Sequence, residues 1–329
     1  MNLKPDILCL QEVQRNHVKS FYSKFENNGY NGIFKQKTGH REDGCAIYYK
    51  KDLFHMEDHQ TVEFFQPEMP LLNRDNVGLM MKLIPRTCPR VPLIVATTHL
   101  LYNPLRTDVR LAQMQVMLAE LDRFAYFDLD GMNTGYYPII LTGDFNSTPN
   151  SVVIRLLEDG VLSPVPFRRD RYDWRMLAVT DNCQHLAVHL NRSHEPTSDY
   201  STIRLFNSDT SERAFPTGGG PPPRDPDPET VRNSDKFNTK TLTHPLRLSS
   251  VYPHYKRDRS PEATTFQDYW VNVDYIYFSC CNKLKLLERF RLPTARECGV
   301  LGSLPNDVYG SDHLLLAAHF EIRNSLVSH

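Results

Sequence analysis

Apolar residues in this chain come in short runs, and polar punctuation closes them. Asp6 to Leu10 (DILCL) reads as a buried strand. Val18, Phe21, Tyr22 and Phe25 then recur at helical spacing until Asn28-Gly29 stops the run, which predicts a strand–helix unit. Further strands are predicted at Cys45 to Tyr49, Val77 to Ile84, Leu93 to Thr98 and Pro138 to Leu141. Between the last two, Leu111, Met114, Leu118 and Leu121 mark a second amphipathic helix with Thr107 as its expected N-cap. Strands alternating with helices at these lengths predict a layered α/β architecture.

From Asn207 to Thr243 the periodicity gives way to Gly218-Gly219-Gly220-Pro221-Pro222-Pro223 and a charged, Pro-rich run. Such a stretch cannot bury enough apolar surface to order itself, so it is expected to be a disordered insertion within one domain spanning 1–329. Strand patterns return at Leu248 to Tyr252, Tyr269 to Phe278 and Leu314 to Phe320. No internal repeat is visible.

Composition narrows the class. With 329 residues, 40% of them hydrophobic and 23% charged, the chain can bury a large core. No apolar run reaches the ~18 residues that cross a bilayer, and the N-terminus lacks the regions of a secretory signal, so membrane insertion is not expected and an intracellular site, cytoplasmic or nuclear, is. Seven cysteines show no CxxC pairing, and Cys9, Cys45 and Cys280 lie in apolar runs, which argues against zinc and disulfides. A formal charge of −1 argues against a broad nucleic-acid footprint and leaves a local contact.

The punctuation carries the chemistry. Gln11-Glu12 follows the first strand, His99 follows Leu93 to Thr98, and Asp144 and Asn146 follow Pro138 to Leu141. Asp274 sits within Trp270 to Phe278, and Asp312-His313 immediately precedes Leu314. Each residue alone has an ordinary reading: His99 as a structural histidine, Glu12 as a helix N-terminal charge, Gly143 to Asn146 as a turn. Together, at strand ends that can converge on one rim, they predict a cluster of carboxylates, amide and imidazoles. Oxygen donors of this kind suit Mg²⁺, with Mn²⁺ as a substitute, and Glu12 is the expected ligand, joined by Asp312 directly or through water. Asp144, His99, Asn146 and His313 are residue types that neutralise a phosphodiester and deprotonate the attacking water.

The stretches LCLQEV at Leu8 to Val13, TTHLLYNP at Thr97 to Pro104, LTGDFNSTP at Leu141 to Pro149, VDYIYFS at Val273 to Ser279 and SDHLLL at Ser311 to Leu316 resemble the endonuclease/exonuclease/phosphatase (DNase I-like) superfamily. DGCAIYYK at Asp43 to Lys50, VEFFQPEMPLLNRDNVGLMMKL at Val62 to Leu83 and LSSVYPHY at Leu248 to Tyr255 resemble its Angel proteins, relatives of nocturnin and the poly(A) deadenylases. The resemblance implies a four-layered α/β sandwich of two packed mixed sheets flanked by helices. It implies Glu12 as the Mg²⁺ ligand, His99 as a stabiliser of the pentacovalent transition state, and Asp144 as the group that aligns or activates water. It further implies Asn146 as a phosphate contact, Asp274 as a supporting residue, and Asp312 with His313 as a paired acid and base; whether Asp144 or His313 takes the proton stays open.

The implied substrates are RNA 3′ ends, either by 3′–5′ exonucleolytic removal of nucleotides or by opening of 2′,3′-cyclic phosphates. Family members begin with a strand carrying a Tyr-Asn-Ile-Leu type motif, whereas Met1 here lies almost on top of the Glu12 strand, so the first core strand is expected to be missing and this chain weakly active or inactive. That expectation favours the main alternative, a non-catalytic RNA-binding or scaffold homologue. Retention of Glu12, His99, Asp144, Asn146, Asp274 and His313 counts against it. An abasic-site endonuclease or inositol phosphatase is a third reading, opposed by the Angel-like RDNVG and HLLYNP stretches.

Overall fold

The computed structural model describes residues 3–66, 70–162, 202–205 and 242–324. In chain order the elements are β1 (Ile7–Gln14), α1 (Arg15–Val18), α2 (Lys24–Asn27), β2 (Tyr30–Gln36), β3 (Asp43–Lys50), β4 (Phe54–Glu63), β5 (Val77–Pro85), β6 (Leu93–His99) and α3 (Thr107–Ala125). There follow β7 (Tyr126–Asp128), β8 (Thr134–Tyr136), β9 (Ile139–Asp144), α4 (Val152–Asp159), β10 (Val161–Leu162), β11 (Thr202–Leu205), β12 (Leu242–Thr243) and β13 (Leu248–Ser250). The last are β14 (Thr265–Gln267), β15 (Tyr269–Val271), β16 (Asp274–Ser279), β17 (Leu284–Arg289), α5 (Ala295–Cys298) and β18 (Ala318–Ile322).

Two sheets hold the site. One runs β1-β3-β2-β11, the other β13-β16-β9-β6-β5-β4. Ile33, Ile47 and Tyr49 of the first meet Leu79, Met81, Val95 and Ile140 of the second in a buried cluster, the seam of the sandwich. On the far face of the larger sheet, α3 and α4 bury Met114, Leu118, Ile154 and Leu157 against Met80, Ile94 and Leu141. On the far face of the smaller sheet, Val18, Tyr22 and Phe25 cover Phe34 and Tyr48. Helix, sheet, sheet and helix make the four expected layers. Among the described residues β1 pairs only with β3, and β18 only with β17.

Several local expectations shift. The run from Val18 to Phe25 is not one helix but two short turns, because Ser20 Oγ and Ser23 Oγ donate to the carbonyls of Asn16 and Ser20 and compete with the helical ladder. Its apolar face survives. Thr107 is the first residue of α3 rather than its cap, and its hydroxyl instead accepts from Arg110 at 2.9 Å. The predicted strand from Tyr269 to Phe278 breaks at Asn272-Val273, where the hydroxyl of Thr264 accepts from the Val273 and Asp274 amides at 3.0 and 3.2 Å. The strand expected at Leu314 to Phe320 starts at Ala318. The insertion expected at 207–243 falls outside the described residues except for Leu242 and Thr243.

Candidate active site

Three strands bring their ends to one line. β6 and β9 run parallel with His99 opposite Asp144, and β16 runs antiparallel to β9 with Asp274 opposite Asp144. Register therefore places two carboxylates and an imidazole side by side at the sheet rim, although they are far apart in sequence. The parallel pairing needs Gly143. Its φ is +145°, and a Cβ there would lie 2.0 Å from the Thr98 carbonyl oxygen. Gly143→Ala should cost more than ~2 kcal/mol, since a strained φ and a backbone clash add. A melting temperature equal to that of the wild type would refute this.

The fourth member arrives from the chain's C-terminal part. The Leu314 amide donates to the Thr264 carbonyl, and the hydroxyl of Thr265 donates to the Asp312 carbonyl at 2.8 Å. This pins His313 beside the sheet, with Nδ1 at 2.8 Å from Asp274 Oδ2 and Nε2 at 3.8 Å from Asp144 Oδ2. Asp144 Oδ2 also lies 3.4 Å from His99 Nε2, and its Oδ1 accepts from the Asn146 amide at 2.8 Å. Asp144, Asp274 and His313 each offer an atom within 4.8 Å of the others, the only such acidic or histidine triplet among the described residues.

Burial and neighbouring charge divide the labour. Burial raises the Asp144 carboxyl well above its usual range, and the negative charges of Asp274 and Glu12 add to this against the opposing His313 charge. His313 moves the other way for a histidine in a protein interior. Burial alone would lower it, but the hydrogen bond and charge of Asp274, with the charges of Asp144 and Asp312, push it up to about 9. His99, 6% exposed, is driven down to about 3 by burial and then by the Lys37 charge, so it is a neutral imidazole.

The other expected residues take less uniform places. Glu12 is exposed at the rim on a bulge of β1, with φ +55°. Asn146, also in a positive-φ conformation, donates from Nδ2 to the Leu100 carbonyl at 2.9 Å, which leaves its second amide hydrogen for a ligand. Asp312 is exposed, and neither it nor Glu12 belongs to the 4.8 Å triplet.

The sequence reading passed over the supports. Thr264 and Thr265 hold Asp274 and His313 together as described, and nothing in Ala263-Thr264-Thr265 marks them. Asn76 Nδ2 donates to the His99 carbonyl at 3.0 Å, Gln113 Nε2 donates to Asn76 Oδ1 at 3.1 Å, and the Leu101 amide returns to Gln113 Oε1 at 3.0 Å. A polar Asn76 just ahead of the apolar β5 run was the available signal.

Beside Asn146 opens a cavity of about 340 Å³, lined among others by Tyr102, Arg110, Ser147, Gln267 and Tyr269. Tyr102 and Tyr269 are 63% and 67% exposed, while Arg110 Nε and Ser147 Oγ are buried without a partner among the described residues. A cavity lined by hydroxyl, amide and guanidinium side chains with two exposed aromatic rings fits a polar ligand.

The Endonuclease/Exonuclease/phosphatase family model matches residues 2–313. Human protein angel homolog 1 is 34% identical over 96% of this chain and 56% of its own length, and protein angel of Drosophila melanogaster is 32% identical over 98% of this chain and 69% of its own. The chain thus spans little more than half the length of that human relative. The crystal structure of ANGEL2, a 2′,3′-cyclic phosphatase, in complex with adenosine-2′,3′-vanadate superposes with a TM-score of 0.71 at 32% identity, covering 97% of this chain and 84% of that one. Fold, rim geometry and likeness agree, and the chain belongs to the endonuclease/exonuclease/phosphatase family, on its Angel branch.

Proposed function

We propose that this chain hydrolyses 2′,3′-cyclic phosphates at RNA 3′ ends inside the cell, in cytoplasm or nucleus, with Mg²⁺ as its metal and Mn²⁺ as a substitute. The observation that carries this is the cavity of about 340 Å³ that meets the catalytic rim at Asn146. It is of a size for one terminal nucleoside, with exposed Tyr102 and Tyr269 on which a base can stack. The similarity to ANGEL2, bound to an adenosine vanadate, supports the same reading.

The donor set fits a divalent cation. Glu12, Asp144 and Asp274 bring three carboxylates against one imidazolium, so the metal-free rim carries surplus negative charge, and all three offer hard oxygens. Glu12 would hold Mg²⁺ directly and Asp312 through water, and the ion supplies charge neutralisation at the phosphate when bound. Asp144, its basicity raised, takes the proton of the attacking water. His313, already charged near neutrality, and neutral His99 donate to the oxygens that gain charge in the pentacovalent state. Asn146 fixes a phosphate oxygen with its free amide hydrogen.

The test is a 3′-labelled RNA ending in a 2′,3′-cyclic phosphate, run beside the same RNA with an oligo(A) tail and a free 3′-hydroxyl. The cyclic phosphate should open in Mg²⁺ or Mn²⁺ and persist in excess EDTA, while the tail stays intact. Turnover that survives EDTA would refute the metal, and shortening of the tail without ring opening would move the assignment to an exoribonuclease.

A further inference from the structure

Glu12 owes its place to a distortion. In the β1–β3 ladder Leu10 pairs with Ala46 and Val13 with Gly44, so Gln11 and Glu12 together stand opposite Cys45 alone. This is a β-bulge, which bends a strand and re-aims a side chain. Glu12 has φ +55°, a strained conformation for a residue with a Cβ that persists only where surroundings enforce it.

The enforcing contact crosses between the sheets. Gln11 Nε2 donates to Thr97 Oγ1 at 2.8 Å. Thr97 is fully buried and lies two residues before His99, on the same face of β6. The bulge is thereby tied to the strand that carries the transition-state histidine. We propose that Gln11 is a positioning residue, whose carboxamide holds the bulge so that the Glu12 carboxylate meets the metal at a fixed distance from His99 and Asp144. The inference rests on the reading of Glu12 as metal ligand.

Mn²⁺ binding to the whole chain, followed by electron paramagnetic resonance and calorimetry in the absence of substrate, tests this without relying on turnover. Gln11→Leu should weaken Mn²⁺ affinity by ~10- to 100-fold, the scale for a lost ligand-orienting contact. Thr97→Val, nearly isosteric, should do the same, Thr97→Ser should restore wild-type affinity, and the double variant Gln11→Leu/Thr97→Val should be no worse than either single change. The Thr97 pair stands in for Gln11→Leu if that variant does not fold. Glu12→Gln separates the two claims. If Glu12→Gln loses Mn²⁺ while Gln11→Leu and Thr97→Val bind it normally, the positioning role is overturned alone. If Glu12→Gln binds normally, the ligand reading falls and the positioning role with it.

Discussion

Asp144→Asn should reduce kcat on a cyclic-phosphate RNA by ~10²- to 10⁴-fold, the usual cost of removing a general base, while the protein becomes no less stable. Asparagine keeps the oxygen that accepts from the Asn146 amide and removes only the proton-accepting charge. A carboxyl whose folded-state pKa is raised destabilises the fold once pH climbs past its unfolded value near 3.8, and Asp144 is raised by burial and by the charges of Asp274 and Glu12. A neutral side chain removes that cost in metal-free protein. A folded Asp144→Asn with near-normal kcat would remove Asp144 from the chemistry, and a large drop in melting temperature would show the carboxylate to be structural.

Asp274→Asn should lower kcat by ~10²-fold or more, because His313 then loses the partner that orients and charges it. The same variant should alter how metal-free stability depends on pH. His313 sits at about 9 when folded, against an ordinary histidine value of 6.5, so its contribution is fully present below 6.5 and is lost as pH rises through about 9. That contribution is of order 3 kcal/mol at most, from 1.36 kcal/mol per pH unit. Melting in EDTA from pH 6 to 10 should fall over this window for the wild type and stay flatter for Asp274→Asn. Parallel curves would mean that the pair at 2.8 Å does not set the charge of His313.

The layers and most strands were legible because the apolar runs have strand length and end in residues that cannot be buried cheaply. Cys45, Val77, Leu93 and Leu248 all lie in strands where their runs predicted them. The strands β2 and β4 escaped, since Tyr30–Gln36 and Phe54–Glu63 mix charged and apolar residues without a clean period. At the site, His99 and Asp144 follow apolar runs, His313 precedes one and Asp274 sits within one, and the structure brings these four side chains together. What could not be read was which of them touch. That depends on register between strands distant in sequence and on the hydroxyls of Thr264 and Thr265, whose partners are backbone groups and leave no trace in composition.

The shared register of β6, β9 and β16 also ties the site to the packing of the core. β6 and β9 are joined by a crossover through α3, whereas Asp274 comes from across the longer connection after β9 to pair opposite Asp144. A pairing displaced by one residue would turn the apolar faces of β16 outward and carry Asp274 to the wrong side of the sheet. The register that opposes Asp274 to Asp144 is also the one that buries Tyr275 and Tyr277, so a slip that misplaced the carboxylate would expose two aromatic rings as well.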